Sequence, residues 1–84
     1  MDDQEHIQSV VFVIGFLMDS HPRQSDTSAS DIERAVAVAS VLSPSVDVAL
    51  LRRDVEFVLE MRGTDLFDRR NRGRRDEIIR GALR

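Results

Sequence analysis

The sequence contains no cysteine, lysine, tryptophan or tyrosine. Apart from two histidines, its aromatic residues are four phenylalanines. The lack of cysteine excludes disulfides and thiolate metal ligands. The two histidines, His6 and His21, are too few to form a metal site without carboxylate partners. All twelve basic residues are arginine, so an arginine-rich stretch is a weaker sign of a special role here than in a chain that also uses lysine.

Catalytic motifs are also missing. A nucleophile, a base and an acid adjoin in Asp19-Ser20-His21, but neighbours in sequence cannot adopt the spatial geometry of a catalytic triad. The acidic N-terminal residues are better explained as favourable charges at the start of a helix than as metal ligands. Gly63 and Gly73 are isolated, so no glycine-rich phosphate loop is present. We expect a protein that is not an enzyme and that binds no cofactor and no metal.

Length and hydrophobicity indicate one small domain over residues 1–84, able to bury about 60% of its unfolded surface. With 42% apolar residues, the chain is expected to fold around a core. The longest apolar run, residues 10–18, is far shorter than the ~20 residues that cross a bilayer. The N-terminus is acidic where a secretory signal would be basic. We therefore expect a cytoplasmic location.

Residues 10–18, VVFVIGFLM, are compatible with either a helix or a buried strand. The apolar residues from Ile7 to Met18 recur at helical spacing, although several are β-branched and would suit a strand. The helix is favoured because no second strand-like run exists to pair with a strand. Asp2 or Asp3 would cap this helix, and Gly15 within it indicates that another helix approaches closely.

Two further helices are predicted after a polar loop over residues 19–29. Ser30 and Glu33 fit a capping box for a helix that ends at Leu42. Ser43-Pro44 then resembles a helix start, and Gly63 marks the predicted end of the third helix.

Beyond the third helix, residues 64–67 are predicted to form a short turn or a single helical turn. Residues 68–75 are predicted as a basic hinge and residues 74–83 as a last amphipathic helix. The fold class that these signals predict is an all-α bundle of four to five helices with a basic C-terminal segment.

Charge is strongly segregated along the chain. Residues 1–68 hold thirteen acidic residues and five arginines, a balance of −8, whereas residues 69–84 hold seven arginines and two acidic residues, a balance of +5. The basic segment, with Arg69, Arg70, Arg72, Arg74 and Arg75, has no interleaved aromatic residue for base stacking. It is compatible with a solvated tail, with pairing to an acidic body or partner, and with phosphate contacts to nucleic acid.

The predicted second and third helices carry apolar side chains around a wide arc, which is more apolar surface than one small core can bury. Surplus apolar surface indicates self-association or a partner groove. The residues that we predict for this interface are Val36, Val41, Leu50, Phe57 and Met61.

These observations predict a non-enzymatic protein–protein interaction module, a homodimer or a small regulator or inhibitor of a larger protein, of the kind that phages and mobile elements encode. The alternative is a nucleic-acid-binding regulator that uses Arg69 to Arg75. No membrane association is expected.

Overall fold

The structure, a computed structural model, describes residues 3–21 and 23–84. Within them the chain forms no strand and four α-helices: α1 (Asp3–Ser20), α2 (Ala29–Leu42), α3 (Val48–Leu66) and α4 (Arg75–Ala82). Two 3₁₀ helices, Gln24–Asp26 and Arg69–Arg74, lie in the connections before α2 and before α4. The predicted all-α fold is confirmed. None of the described helices is long and apolar enough to cross a membrane.

The apolar run of residues 10–18 is helical, and the strand alternative is wrong. Val10, Val13, Ile14 and Leu17 are buried, at the spacing that places them on one face of α1. Gly15 does make room for α4, through a side chain: a Cβ at this position would lie 3.0 Å from Nη1 of Arg75. Of the two proposed caps, Asp2 lies outside the described residues and Asp3 is already the first residue of α1.

Helix α2 begins two residues earlier than predicted, because the capping box is formed by Ser28 and Asp31 rather than by Ser30 and Glu33. The amide of Asp31 donates to Oγ of Ser28 at 3.2 Å, and the amide of Ser28 donates to Oδ2 of Asp31 at 2.9 Å. The amide and the hydroxyl of Ser28 both donate to the Asp31 carboxylate, and these hydrogen bonds lower the pKa of Asp31 below its ordinary value. The polar connection is correspondingly shorter than residues 19–29.

Removal of the Ser28 hydroxyl tests this helix start. Ser28→Ala is expected to lower the free energy of unfolding by about 0.5–2 kcal/mol, the usual cost of losing an N-cap. Ser30→Ala removes the same hydroxyl from inside the helix and is expected to change it by less than about 0.5 kcal/mol. Urea denaturation followed by circular dichroism measures both. If Ser30→Ala lowered the free energy of unfolding more than Ser28→Ala, Ser30 would be the N-cap, as the sequence predicts.

Both predicted ends of α3 are wrong. The helix is capped by Asp47, whose Oδ1 accepts from the amides of Ala49 and Leu50 at 3.0 and 3.2 Å, and Pro44 lies in the turn before it. At the other end the helix continues through Gly63 to Leu66, which is buried.

Gly63 is a packing residue rather than a helix stop. A Cβ there would overlap the side-chain amide of Gln24, whose Nε2 donates to the carbonyl of Leu59 at 3.0 Å. The missing side chain therefore lets the connection before α2 pack against α3.

The helices surround one core. The end of α2 lies beside the start of α1, where Oγ of Ser45 donates to Oε1 of Glu5 at 2.8 Å, and α1 and α2 are therefore antiparallel. Helices α1 and α3 each pack against both α2 and α4. The core residues are Val10, Val13, Ile14, Leu17, Ala35, Val36, Ala39, Val46, Leu51, Val55, Val58, Leu59, Leu66 and Ile79.

The predicted basic hinge over residues 68–75 is ordered as the 3₁₀ helix Arg69–Arg74 and the first residue of α4. Oδ1 of Asp68 caps the 3₁₀ helix by accepting from the amide of Arg70 at 2.9 Å. The predicted turn over residues 64–67 is instead the last part of α3, with Phe67 as its C-cap.

Candidate functional site

Asp19-Ser20-His21 is the sequence segment that most resembles a catalytic set, and the fold directs its side chains to different places. Oδ1 of Asp19 lies 3.5 Å from Nη2 of Arg75, while Nε2 of His21 lies 3.6 Å from Oδ1 of Asp31. Asp19 and His21 therefore face different partners, and Ser20 between them is exposed at the end of α1. Across residues 3–21 and 23–84, no group of three His, Cys, Asp or Glu side chains is placed to hold a metal ion.

One of the five predicted interface residues lies in the core. Val36 is only 2% exposed, because its position on α2 faces the other helices. It cannot contact a partner without unfolding the bundle, and assigning it to an interface was wrong. Val41, Leu50, Phe57 and Met61 are all exposed.

The four exposed residues do not share one surface. Leu50, Phe57 and Met61, which we call the α3 stripe, lie within about 60° of one another around an ideal helix. Arg52, which pairs with Glu33 of α2 at 3.0 Å, lies roughly 140° around α3 from Phe57. Phe57 instead lines a shallow cleft with Ala82 and Leu83 at the end of α4. Val41 is on α2 and therefore belongs to another side of the molecule.

A second apolar surface, which the sequence did not reveal, lies on α1 and α2. The side chains of Phe12 and Phe16 on α1 are exposed beside a groove lined by Phe12, Ala39 and Leu42. Their rings stack with centroids 6.4 Å apart. The exposed residues of this surface, which we call the α1–α2 face, are Phe12, Phe16, Val38, Val41 and Leu42.

Charged residues border the α1–α2 face at opposite ends. Glu5 lines the same groove as Leu42, near the C-terminal end of α2. Arg34 is exposed one turn before Val38, toward the N-terminal end of α2. Glu5 and Arg34 therefore lie toward opposite ends of the face, with apolar side chains between them.

Some arginines of the basic segment form ion pairs with carboxylates, and others do not. Nη2 of Arg70 lies 2.9 Å from Oδ2 of Asp68, and Nε of Arg74 lies 3.5 Å from Oε2 of Glu77. Hydrogen bonds from Arg70 lower the pKa of Asp68, and the same carboxylate raises the pKa of Arg70.

Arg75 is the third compensated arginine, through Asp19. Arg69 and Arg72 are exposed, and neither forms an ion pair with any residue that the structure describes.

No protein-family model, curated protein or solved structure matches this chain. The fold and its surfaces define a small all-α bundle with two exposed apolar surfaces and a partly compensated arginine segment.

Proposed function

We propose that this protein is a non-enzymatic protein–protein interaction module that forms a homodimer through the α1–α2 face. The observation that carries the proposal is that five large apolar side chains of α1 and α2 are exposed, among them Val41 at 76% and Leu42 at 65%. Single exposed apolar side chains are ordinary, but a contiguous cluster of them on a small domain is typical of a contact surface.

A second copy of the chain fits the charges around the α1–α2 face. In a two-fold dimer the same surface meets itself. With the axis perpendicular to α2, the two α2 helices run antiparallel, and Arg34 of one copy comes toward Glu5 of the other, twice per dimer. This arrangement pairs opposite charges as well as apolar surfaces.

The α3 stripe is left uncovered by this dimer, because it lies on another side of α3 from α2. We propose that it provides the docking surface for a larger protein, which the dimer regulates or inhibits in the cytoplasm. Leu50, Phe57 and Met61 supply the apolar contact, and Arg53 and Asp54 beside them give the surface a polar rim.

Two substitutions of similar exposure distinguish the two apolar surfaces. Leu42→Asp places a carboxylate in the proposed dimer contact, which should cost about 3–5 kcal/mol and weaken dimerisation at least ~100-fold. Met61→Asp adds the same charge to the α3 stripe, at a residue 61% exposed against 65% for Leu42, and should leave the dimer intact. Light scattering after size exclusion gives the mass, and circular dichroism confirms that both variants remain folded.

The opposite pattern contradicts the assignment of the surface. If Met61→Asp separates the copies and Leu42→Asp does not, the dimer contact is the α3 stripe.

The alternative function is nucleic-acid binding through Arg69 to Arg75. It is supported by the exposure of Arg69 and Arg72, which have no acidic partner among the described residues. It is opposed by the acidic partners of Arg70, Arg74 and Arg75, which leave few charges free to neutralise phosphates. The absence of a complex in a gel shift at low salt would exclude it.

A further inference from the structure

A cleft of about 220 Å³ opens between the end of α1, the end of α3 and the 3₁₀ helix Arg69–Arg74. Three of its lining residues are Arg69, Arg72 and Arg75. A 3₁₀ helix has three residues per turn, so side chains three positions apart lie along the same edge. This winding places Arg69 and Arg72 along one edge, Arg75 follows as the first residue of α4, and all three line the cleft, which we call the arginine cleft.

The arginine cleft is positively charged although the whole chain is acidic. Two carboxylates, Asp19 and Asp68, also line it. Asp68 is already engaged, because its two oxygens accept hydrogen bonds from the side chain and the amide of Arg70 at 2.9–3.2 Å. Only Asp19 remains to offset the three arginines, and its oxygen is 3.5 Å from Arg75, longer than a strong charge-assisted hydrogen bond.

Arg75 is held in position with one donor unused. Its side chain is largely out of solvent, and its Nε is buried without a hydrogen-bond partner among the described residues. Gly15 leaves room for this side chain, since a Cβ there would lie in tight contact, 3.0 Å from Nη1 of Arg75. A buried donor without an acceptor is unfavourable, so the guanidinium group of Arg75 has hydrogen-bonding capacity that its protein partners do not use.

We propose that the arginine cleft binds a compact oxyanion, the phosphate group of a small molecule. Guanidinium groups present paired, planar donors that match the oxygens of a phosphate. The volume is below the ~300–1,000 Å³ that encloses a drug-sized ligand, and therefore fits one phosphate-sized group with a few waters. The acidic surroundings do not favour a nucleic-acid backbone, which needs many phosphate contacts in a row.

This site does not depend on the proposed dimer. Its three arginines lie on the 3₁₀ helix and on α4, which contribute no residue to the α1–α2 face. Phosphate binding should therefore be the same in the monomeric Leu42→Asp variant as in the original chain.

The test is a titration of the ¹⁵N-labelled protein with inorganic phosphate and with glycerol phosphate, against sodium chloride at equal ionic strength. We expect saturable shifts confined to the amides of residues 15–19 and 68–76 and to the Nε–H signal of Arg75. Arg72→Gln, an exposed substitution, should weaken binding roughly tenfold or more, because a charge-assisted hydrogen bond is lost.

Arg84→Gln is the matched control for this variant. It removes the same charge beyond the C-terminal end of α4, roughly 13 Å along the helix axis from Arg75, and should change the affinity by less than about twofold, because solvent screens charges at that distance. Equal losses in both variants, or shifts that grow linearly with phosphate over all arginines, would show general charge attraction and overturn the site. Tighter binding of a single-stranded oligonucleotide, with a steep salt dependence, would make the segment a nucleic-acid interface and also overturn it.

Discussion

Replacing Leu51 by alanine is expected to lower the free energy of unfolding by about 2–5 kcal/mol, the range for a leucine truncated in a packed core. Leu51 is fully buried on α3, among core residues from α1 and α2. In a domain of this size each kcal/mol lowers the midpoint of thermal unfolding by about 4–8 °C. Thermal and urea denaturation followed by circular dichroism should therefore show a loss of at least ~8 °C.

The adjacent residue is the matched control. Leu50 is 36% exposed on the α3 stripe, and Leu50→Ala should cost less than about 1.5 kcal/mol because it removes only part of a burial contribution. Leu50→Ala and Leu51→Ala make the same chemical change at adjacent positions. Together they test which face of α3 is buried. Similar losses at Leu50 and Leu51 would contradict the packing of this helix.

Removing the carboxylate of Asp54 is expected to cost about 1.5–3 kcal/mol, the range for a hydrogen bond to a charged group that is largely out of water. Nε2 of His6 on α1 lies 2.5 Å from Oδ2 of Asp54 on α3, and the two side chains are 16% and 23% exposed. Nδ1 of His6 is buried with no partner among the described residues. Asp54→Ala would therefore leave both ring nitrogens unsatisfied.

A double substitution separates this effect from simple loss of contact. His6→Leu combined with Asp54→Leu removes the donors and acceptors together, and it should destabilise less than Asp54→Ala alone. Denaturation of His6→Leu, Asp54→Leu and the double variant completes the cycle. If Asp54→Ala changes the free energy of unfolding by less than about 0.5 kcal/mol, the pair behaves as an exposed ion pair and does not connect α1 to α3.

The helical class and much of the core follow from periodicity, because Val10, Ile14 and Leu17 recur at the spacing of one helix face. The helix boundaries do not follow as well. Ser28 and Ser30 are equally good caps by residue type, and the neighbouring Asp31 decides between them. Gly63 reads as a stop in sequence, yet α3 continues because Gln24, 39 positions earlier in the chain, packs where a side chain would be.

The candidate surfaces also follow only in part from the sequence. The wide apolar arc of α3 indicates that Leu50, Phe57 and Met61 cannot all be buried, and they are exposed. Phe12 and Phe16 are not among the predicted interface residues, although helical spacing puts both away from Val10 and Leu17.

Ion pairs between residues far apart in the chain could not be predicted from the sequence. The run of arginines is visible in the sequence, but the contact of Arg75 with Asp19 depends on how α4 packs against α1. For the same reason the sequence did not show that Arg69, Arg72 and Arg75 line one cleft, since this requires a 3₁₀ rather than an α-helical winding.

The mass of the protein in solution, measured by size exclusion with light scattering at low and at high salt, tests the proposed dimer most directly. The α1–α2 face is chiefly apolar, and we expect twice the 9.5 kDa of one chain under both conditions. A dimer that separates at high salt would indicate contact between the arginine segment and an acidic neighbour. A mass of 9.5 kDa at both salts would contradict self-association through the α1–α2 face.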